Sequence, residues 1–227
     1  MPFPDLGDRV AEIRERIEAA RVRGGHGQRV EIIAVTKTHG PDAVEAAAAH
    51  GIRRIGENKV QEAVAKMSQT AADVDWHLIG HLQRNKVKHL ASFAMLHSLD
   101  SMRLADEVNA YGTSSGRRVR ALVQINASGE ATKGGFAPSE LDRVADHLTG
   151  LAGIEVLGAM TMAPYEAAEP ELRELFAQTR EAAQVLRGAG HSAHELSMGM
   201  SGDYEIAVEE GATLVRLGTI LFGARAT

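Results

Sequence analysis

Eight short apolar stretches, each followed by a stretch with helical periodicity, constrain the fold of this chain more than any other feature. Strands that alternate with helices pair in parallel, because each helix returns the chain to the same end of the sheet. Eight such units are the number that closes a parallel sheet into a barrel. The sequence therefore predicts an α/β fold, a single (β/α)8 TIM barrel that takes up residues 1–227 as one domain.

The predicted strands are spaced so that one helix fits between neighbours. They are Val30–Lys37, Arg53–Gly56, Trp76–Gly80, Phe93–Leu99, Val119–Asn126, Gly153–Met160, His194–Ser197 and Thr213–Leu217. An extra amphipathic helix over residues 5–23 precedes the first strand. A doubly wound open sheet is the alternative, but Thr36-Lys37-Thr38-His39-Gly40 lacks the glycine-rich pattern that is typical of that fold after its first strand.

Composition narrows the class of protein. Aromatic residues make up 4% of the chain and hydrophobic residues 44%, so the core is predicted to be aliphatic. A formal net charge of -5 argues against nucleic-acid and membrane-surface partners. The absence of cysteine excludes disulfides and thiolate metal sites. Because no apolar run has membrane-spanning length and the first residues do not resemble a signal peptide, we expect a cytoplasmic protein, and we expect a monomer.

Lys37 ends the first predicted strand, which is otherwise a run of apolar residues. The carboxyl end of such a strand holds its last side chain over the mouth of the barrel. Partial burial there disfavours the charged form of an amine and makes it a nucleophile toward aldehydes. The alternative is a lysine that turns out into water.

Two glycine-containing segments predict a phosphate site. Ser201-Gly202-Asp203 precedes a short helix, and Gly218-Thr219 follows the eighth strand. Phosphates in this fold are often held by the loops after strands seven and eight, where backbone amides and hydroxyls donate to the anion. Ordinary helix caps and turns are the alternative reading of each segment.

Arg216 lies within the apolar eighth strand. Its guanidinium needs an acceptor, since arginine keeps its charge. An ion pair with Glu57 or another acid is one possibility, and donation to a ligand's ring nitrogen or phosphate is the other. A nucleophilic lysine, a phosphate site and a buried donor together meet the needs of pyridoxal 5'-phosphate.

Five segments resemble motifs of the pyridoxal phosphate homeostasis protein family. They are Ala34-Val35-Thr36-Lys37, Gly56-Glu57-Asn58-Lys59-Val60-Gln61-Glu62, Trp76-His77-Leu78-Ile79-Gly80-His81-Leu82-Gln83-Arg84-Asn85-Lys86, Leu196-Ser197-Met198-Gly199-Met200-Ser201-Gly202-Asp203 and Val215-Arg216-Leu217-Gly218-Thr219. The resemblance runs in the same order from about residue 10 to Arg225, which is nearly the whole chain. It departs from the family's pattern at His81 and Arg84, where many members have proline and serine.

The resemblance implies a barrel like the barrel domain of alanine racemase, with pyridoxal 5'-phosphate as the cofactor and Lys37 as the lysine that forms an imine with it. It also implies phosphate contacts from the Ser201 loop and Gly218-Thr219, with Arg216 near the pyridine nitrogen. The cofactor-binding residues predicted on this basis are Lys37, Asn58, Ser197, Met198, Ser201, Arg216, Gly218 and Thr219. No metal site is expected.

The resemblance further implies a protein that holds the cofactor and hands it on to apo-enzymes that depend on it, rather than an enzyme. An amino-acid racemase is the alternative. It needs an acid and a base on opposite faces of its substrate. Lys37 is one candidate, and Tyr165 and Tyr204 are predicted near the mouth as the other. Since eight units account for the chain, we expect no second domain of the kind that supplies this tyrosine in alanine racemase. A phosphosugar enzyme would need acid–base carboxylates at several strand ends, and Glu57 is the only carboxylate predicted at such a position.

Overall fold

The computed structural model describes residues 3–129, 134–164 and 166–223. The strands are β1 (Glu31–Val35), β2 (Arg54–Glu57), β3 (Asp75–Leu78), β4 (Met95–Leu99), β5 (Val119–Gln124), β6 (Ile154–Met160), β7 (Glu195–Ser197) and β8 (Leu214–Leu217). The α-helices are α1 (Leu6–Gly24), α2 (Pro41–Ala49), α3 (Val60–Met67), α4 (Met102–Ser114), α5 (Leu141–Thr149), α6 (Glu169–Gly188), α7 (Tyr204–Glu209) and α8 (Thr219–Phe222). Two 3-10 helices, Arg84–Ser92 and Pro138–Glu140, follow β3 and precede α5.

The eight strands form one closed sheet in chain order, and every neighbouring pair is parallel. The barrel closes where β8 pairs with β1, with Ile32 opposite Val215. The predicted (β/α)8 barrel with an extra N-terminal helix is therefore confirmed. Since all strands run in one direction, their carboxyl ends meet at one rim, where the sites of such barrels lie.

Side chains on the strands alternate between the barrel interior and the layer beneath the helices. The interior holds an apolar cluster made of Ile33, Met95, Leu122, Leu157, Met160 and Leu214. The opposite faces of the strands pack against the helices in a larger aliphatic core, as the composition predicts. Arg216 lies opposite Ile33, and His77 lies opposite Met95, so both share the interior face with the apolar cluster.

Helix α1 packs against α7, the helix that follows the predicted phosphate loop. Its buried face consists of Leu6, Val10, Ile13, Ile17 and Ala20, which is the face that the periodicity predicts. Arg16 and Arg23 add ion pairs to Glu205 and Glu209, at 2.5 and 2.6 Å. Exposed pairs contribute about 1 kcal/mol or less, so the apolar face is the main attachment of α1.

One strand boundary and one helix type near the site differ from the prediction. β1 ends at Val35, so Lys37 lies in the following turn and not on the strand. The segment after β3 is a 3-10 helix with Val87 and Leu90 buried, where helical periodicity alone favours an α-helix. Because these two residues are three apart, they align on one side of a 3-10 helix as well.

Candidate functional site

A cavity of about 960 Å³ opens at the carboxyl-end rim of the barrel. Six of the eight predicted cofactor-binding residues line it, namely Lys37, Asn58, Ser201, Arg216, Gly218 and Thr219. Ser197 and Met198 do not line it, and both are fully buried. Apolar walls come from Val35, Ile79, Met162 and Leu172. Apolar walls with a few polar groups are typical of a small-molecule site.

Lys37 reaches this cavity from the turn between β1 and α2, where it is half-buried. The peptide groups on both sides of it are hydrogen-bonded. Lys66 Nζ donates to the Thr36 carbonyl at 2.6 Å, and the Thr38 amide donates to Glu62 Oε1 at 2.6 Å. A primary amine at the wall of a largely apolar cavity is placed to react with an aldehyde.

The Ser201 loop and the segment after β8 present hydrogen-bond donors to the same cavity. The amides of Gly218 and Ile220 point toward Ser201 Oγ, at 3.4 and 3.3 Å. A Cβ at Gly218 would lie only 3.3 Å from the Val35 carbonyl oxygen, so glycine lets this segment lie close against β1. These two bonds hold Ser201 beside the segment after β8, and the hydroxyls of Ser201 and Thr219 at the cavity wall are donors suited to a phosphate group.

The guanidinium of Arg216 is buried at the wall of the cavity. Nη1 donates to the carbonyl and hydroxyl oxygens of Ser197, both at 2.7 Å, and Nη2 donates to the Thr161 carbonyl at 2.7 Å. Burial lowers the pKa of Arg216 to about 10, so the group stays charged at neutral pH. The alternative prediction of an Arg216–Glu57 ion pair is wrong, because Glu57 pairs with Lys66 at 2.6 Å.

A chain of buried histidines continues from Arg216 into the barrel. Ser197 Oγ lies 2.9 Å from His97 Nδ1, and His97 Nε2 lies 2.8 Å from His77 Nδ1. Ser197 Oγ accepts from Arg216, and His97 Nδ1 is the acceptor within reach of its hydroxyl proton among the described residues. With the Ser197 proton assigned to His97 Nδ1, a neutral His97 carries its own proton on Nε2 and donates to His77 Nδ1. Both rings are neutral, because burial lowers the pKa of His77 to about 3 and that of His97 well below its usual value.

The prediction omits a histidine–carboxylate pair at the cavity wall. His81 Nδ1 lies 2.6 Å from Asp100 Oδ2, and both residues line the cavity. Asp100 directly follows β4, a position where site residues of a barrel collect, so a signal was available in the sequence. Gln124 lines the cavity at the end of β5, whereas the predicted strand end favours Asn126.

Tyr204 directly follows the cavity residue Asp203, but it does not itself line the cavity. It is 2% exposed on α7, and the Arg16 guanidinium lies 5.7 Å from the centre of its ring. Burial raises its pKa. Its buried hydroxyl has no hydrogen-bond partner in the part of the chain that the structure describes. Tyr165, the other predicted tyrosine, is outside the described residues.

A second cavity, of about 580 Å³, lies between α1 and the amino ends of the first strands. It is lined by four arginines, Arg14, Arg21, Arg29 and Arg53. Three of them are already ion-paired with nearby carboxylates. Over residues 3–129, 134–164 and 166–223, no group of three or more histidine or acidic side chains is placed to hold a metal ion. In the same ranges, no helix is long and apolar enough to cross a membrane.

Known proteins resemble the chain over nearly all of its length. Residues 9–226 match the family described as the alanine racemase N-terminal domain. The pyridoxal phosphate homeostasis protein of Aquifex aeolicus is 38% identical, with 96% of this chain and 97% of that protein covered. The human protein of the same name is 35% identical, with 97% of this chain and 86% of that protein covered.

Solved structures agree with this assignment. PipY of Synechococcus elongatus, solved with PLP bound, is 36% identical, with a TM-score of 0.84 over 96% of this chain and 100% of that chain. Alanine racemase of Corynebacterium glutamicum is 18% identical, with a TM-score of 0.73 over 93% of this chain and 61% of that chain, and this likeness concerns the fold alone. The chain therefore belongs to the alanine racemase N-terminal domain family and, within it, to the pyridoxal phosphate homeostasis proteins.

Proposed function

We propose that this protein binds pyridoxal 5'-phosphate in the carboxyl-end cavity and holds it through a covalent bond to Lys37. The observation that carries the proposal is the convergence of a lysine amine, a set of phosphate donors and a buried guanidinium on one cavity. When bound, pyridoxal phosphate supplies an aldehyde that reacts with amines and a ring that withdraws electrons.

The groups of the cavity fit the separate parts of this cofactor. Lys37 supplies the amine for the aldehyde, and Ser201, Gly218 and Thr219 supply donors for the phosphate. Arg216, at the wall of the same cavity, would donate to the ring nitrogen of the bound cofactor. Among the described residues, its three contacts use three of the five N–H groups of a guanidinium, which leaves two for an acceptor in the cavity. Because Arg216 keeps its proton, we expect the ring nitrogen to remain unprotonated and the ring to withdraw electrons weakly.

The relatives support the same ligand. Curated proteins 34 to 38% identical to the chain are named for pyridoxal phosphate homeostasis. PipY, at 36% identity, was solved with PLP bound. A visible absorption band that disappears on borohydride treatment, with the added mass on Lys37, tests the proposal in purified protein.

We infer that the protein is a carrier in intracellular pyridoxal phosphate homeostasis. It holds the cofactor as a cytoplasmic monomer and releases it to apo-enzymes that require it, without steady turnover of a substrate. The second candidate is a racemase-like enzyme. One observation favours it, since His81, paired with Asp100, offers an acid–base group in the same cavity as Lys37.

Removing the hydroxyls of Ser201 and Thr219 tests the phosphate site. The variant Ser201→Ala/Thr219→Val is expected to bind pyridoxal phosphate at least about tenfold more weakly, or ~1.4 kcal/mol, because two donors to the anion are lost. Binding of pyridoxal, which has no phosphate, is expected to change little. Equilibrium titration with both ligands measures the difference, and Ser192→Ala, at an exposed serine, is the control. Equal weakening of both ligands would show that these hydroxyls act through the fold.

Exchange of the α-proton of amino acids in heavy water separates a carrier from a racemase. We expect little exchange with alanine, serine or glutamate, because a ring whose nitrogen faces Arg216 is expected to withdraw electrons weakly from the α-carbon. Mass spectrometry of the amino acid measures the exchange. Rapid exchange that is lost in His81→Gln or in Tyr165→Phe, but kept in Tyr204→Phe, would contradict the carrier proposal.

A further inference from the structure

A buried ion cluster lies beneath the turn that carries Lys37. Lys66 on α3 is 5% exposed, and Glu57 at the end of β2 is fully buried. Lys66 Nζ donates to Glu57 Oε1 at 2.6 Å and to Glu62 Oε1 at 2.9 Å. The side chains of this cluster, Lys66, Glu57 and Glu62, do not line the cavity. Since a buried salt bridge often adds little net stability, the cluster calls for another explanation.

Its remaining contacts end on both sides of Lys37. Lys66 Nζ donates to the Thr36 carbonyl, and Thr36 Oγ1 donates to Glu57 Oε1 at 2.5 Å. The Thr38 amide donates to Glu62 Oε1. Thr38 has a φ of 69°, the only positive φ of a non-glycine residue in the described ranges. A β-branched residue adopts that conformation only where its surroundings hold it.

The hydrogen bonds of this cluster indicate a role other than packing α3 against the barrel. The three hydrogens of the Lys66 ammonium match its three acceptors, Thr36, Glu57 and Glu62. Glu57 Oε2, however, is buried with no hydrogen-bond partner among the described residues. An unsatisfied buried carboxyl oxygen is costly, and an apolar pair at these positions would avoid that cost.

We propose that Lys66, Glu57 and Glu62 are positioning residues for Lys37. They hold the peptide groups before and after it, so that its amine enters the cavity from one direction. The reason for holding Lys37 in place rests on the proposed function. The position of Lys37 itself can be measured in the cofactor-free protein. The competing explanation is that the cluster only fastens α3 to the barrel.

The double variant Lys66→Met/Glu57→Gln separates the two explanations. It removes both charges of the pair at similar volume and leaves their summed charge at zero, so electrostatic effects on Lys37 stay small. If the cluster only fastens α3, a folded double variant should have a Lys37 that behaves as in the unchanged protein. If the cluster positions Lys37, the turn loosens although the barrel remains folded.

The readout is brief acetylation of cofactor-free protein with acetic anhydride, followed by peptide mass spectrometry. We expect acetylation of Lys37, relative to the exposed Lys88, to rise about fivefold or more in the double variant, because a half-buried amine gains access to solvent. We also expect weaker binding of pyridoxal phosphate. The control is Lys59→Met, which replaces an exposed lysine just before α3.

Glu62→Ala gives a second test that does not depend on the double variant folding. It frees the Thr38 amide without leaving a buried charge unpaired, so hydrogen exchange of that amide is expected to accelerate about tenfold or more. The inference would be overturned if the folded double variant showed unchanged acetylation of Lys37. It would also be overturned if Glu62→Ala changed neither the hydrogen exchange of the Thr38 amide nor the acetylation of Lys37. Failure of the proposed function is separate, since it would appear as absent cofactor binding in the unchanged protein.

Discussion

Lys37→Ala is expected to abolish the visible absorption band of the bound cofactor and the adduct that borohydride fixes. The amine that bonds to the aldehyde is then missing, and only the phosphate and ring contacts remain. We expect the apparent affinity for pyridoxal phosphate to fall about 100-fold or more, or ~3 kcal/mol. Absorption spectroscopy, equilibrium titration and intact mass after reduction measure these losses.

The same substitution is expected to leave the fold intact. Lys37 lies in a turn at the cavity wall and is absent from the packed core. Its replacement should therefore change the free energy of unfolding by about 1 kcal/mol or less. Lys59→Ala, at an exposed lysine after β2, is the control and should retain the adduct. A reduced adduct found on Lys59 or Lys133 in the unchanged protein would contradict the assignment.

Acidification between pH 7.5 and pH 5 is expected to destabilise the protein through His77 and His97. Each titrates near ~6.5 in the unfolded chain, whereas burial lowers the folded pKa to about 3 for His77 and well below the usual value for His97. Below pH ~6.5 the unfolded state takes up protons that the folded state does not, so stability falls with pH. At pH 5 the expected loss is about 2 kcal/mol from His77, and His97 adds a loss of the same sign.

A single-histidine variant isolates this effect from other groups. Burial raises the pKa of Glu57 and Asp203, so those carboxyls take up protons first in the folded state and oppose the loss. His77→Gln keeps an acceptor for His97 and removes one titrating ring. Chemical denaturation at both pH values should therefore show a loss smaller by about 2 kcal/mol than in the unchanged protein. His194→Gln, at an exposed histidine, is the control, and equal losses in His77→Gln and the unchanged protein would contradict the buried-neutral assignment.

Much of the fold follows from local pattern. The repeated strand–helix alternation predicts the barrel, and the spacing of Val10, Ile13 and Ile17 predicts which face of α1 is buried. Strand ends could be located only to within one or two residues, because a turn such as the one at Lys37 differs little in composition from the end of a strand. The candidate site was predicted from the rule that sites of such barrels lie at the carboxyl ends of the strands, so the residues directly after the strands could be named.

Long-range contacts could not be predicted in this way. Ser197 is an example: its position at the end of β7 predicts a cavity residue, yet its side chain lies between Arg216 and His97 inside the barrel. His97 is 100 residues away in the chain, and periodicity indicates only which face of a strand a side chain occupies, not which side chain it meets across the interior.

The sequence by itself determined the architecture, the rim at which the cavity opens and a lysine that lines this cavity, because alternation, turn residues and strand ends are local properties. Only the tertiary structure decided the partners of the buried charges. Lys66 reads as an ordinary lysine on a short helix, and its contacts with Glu57 and Thr36 exist because α3 folds back over the ends of β1 and β2. Such pairings depend on how elements are placed in three dimensions, and that placement results from packing of the whole barrel.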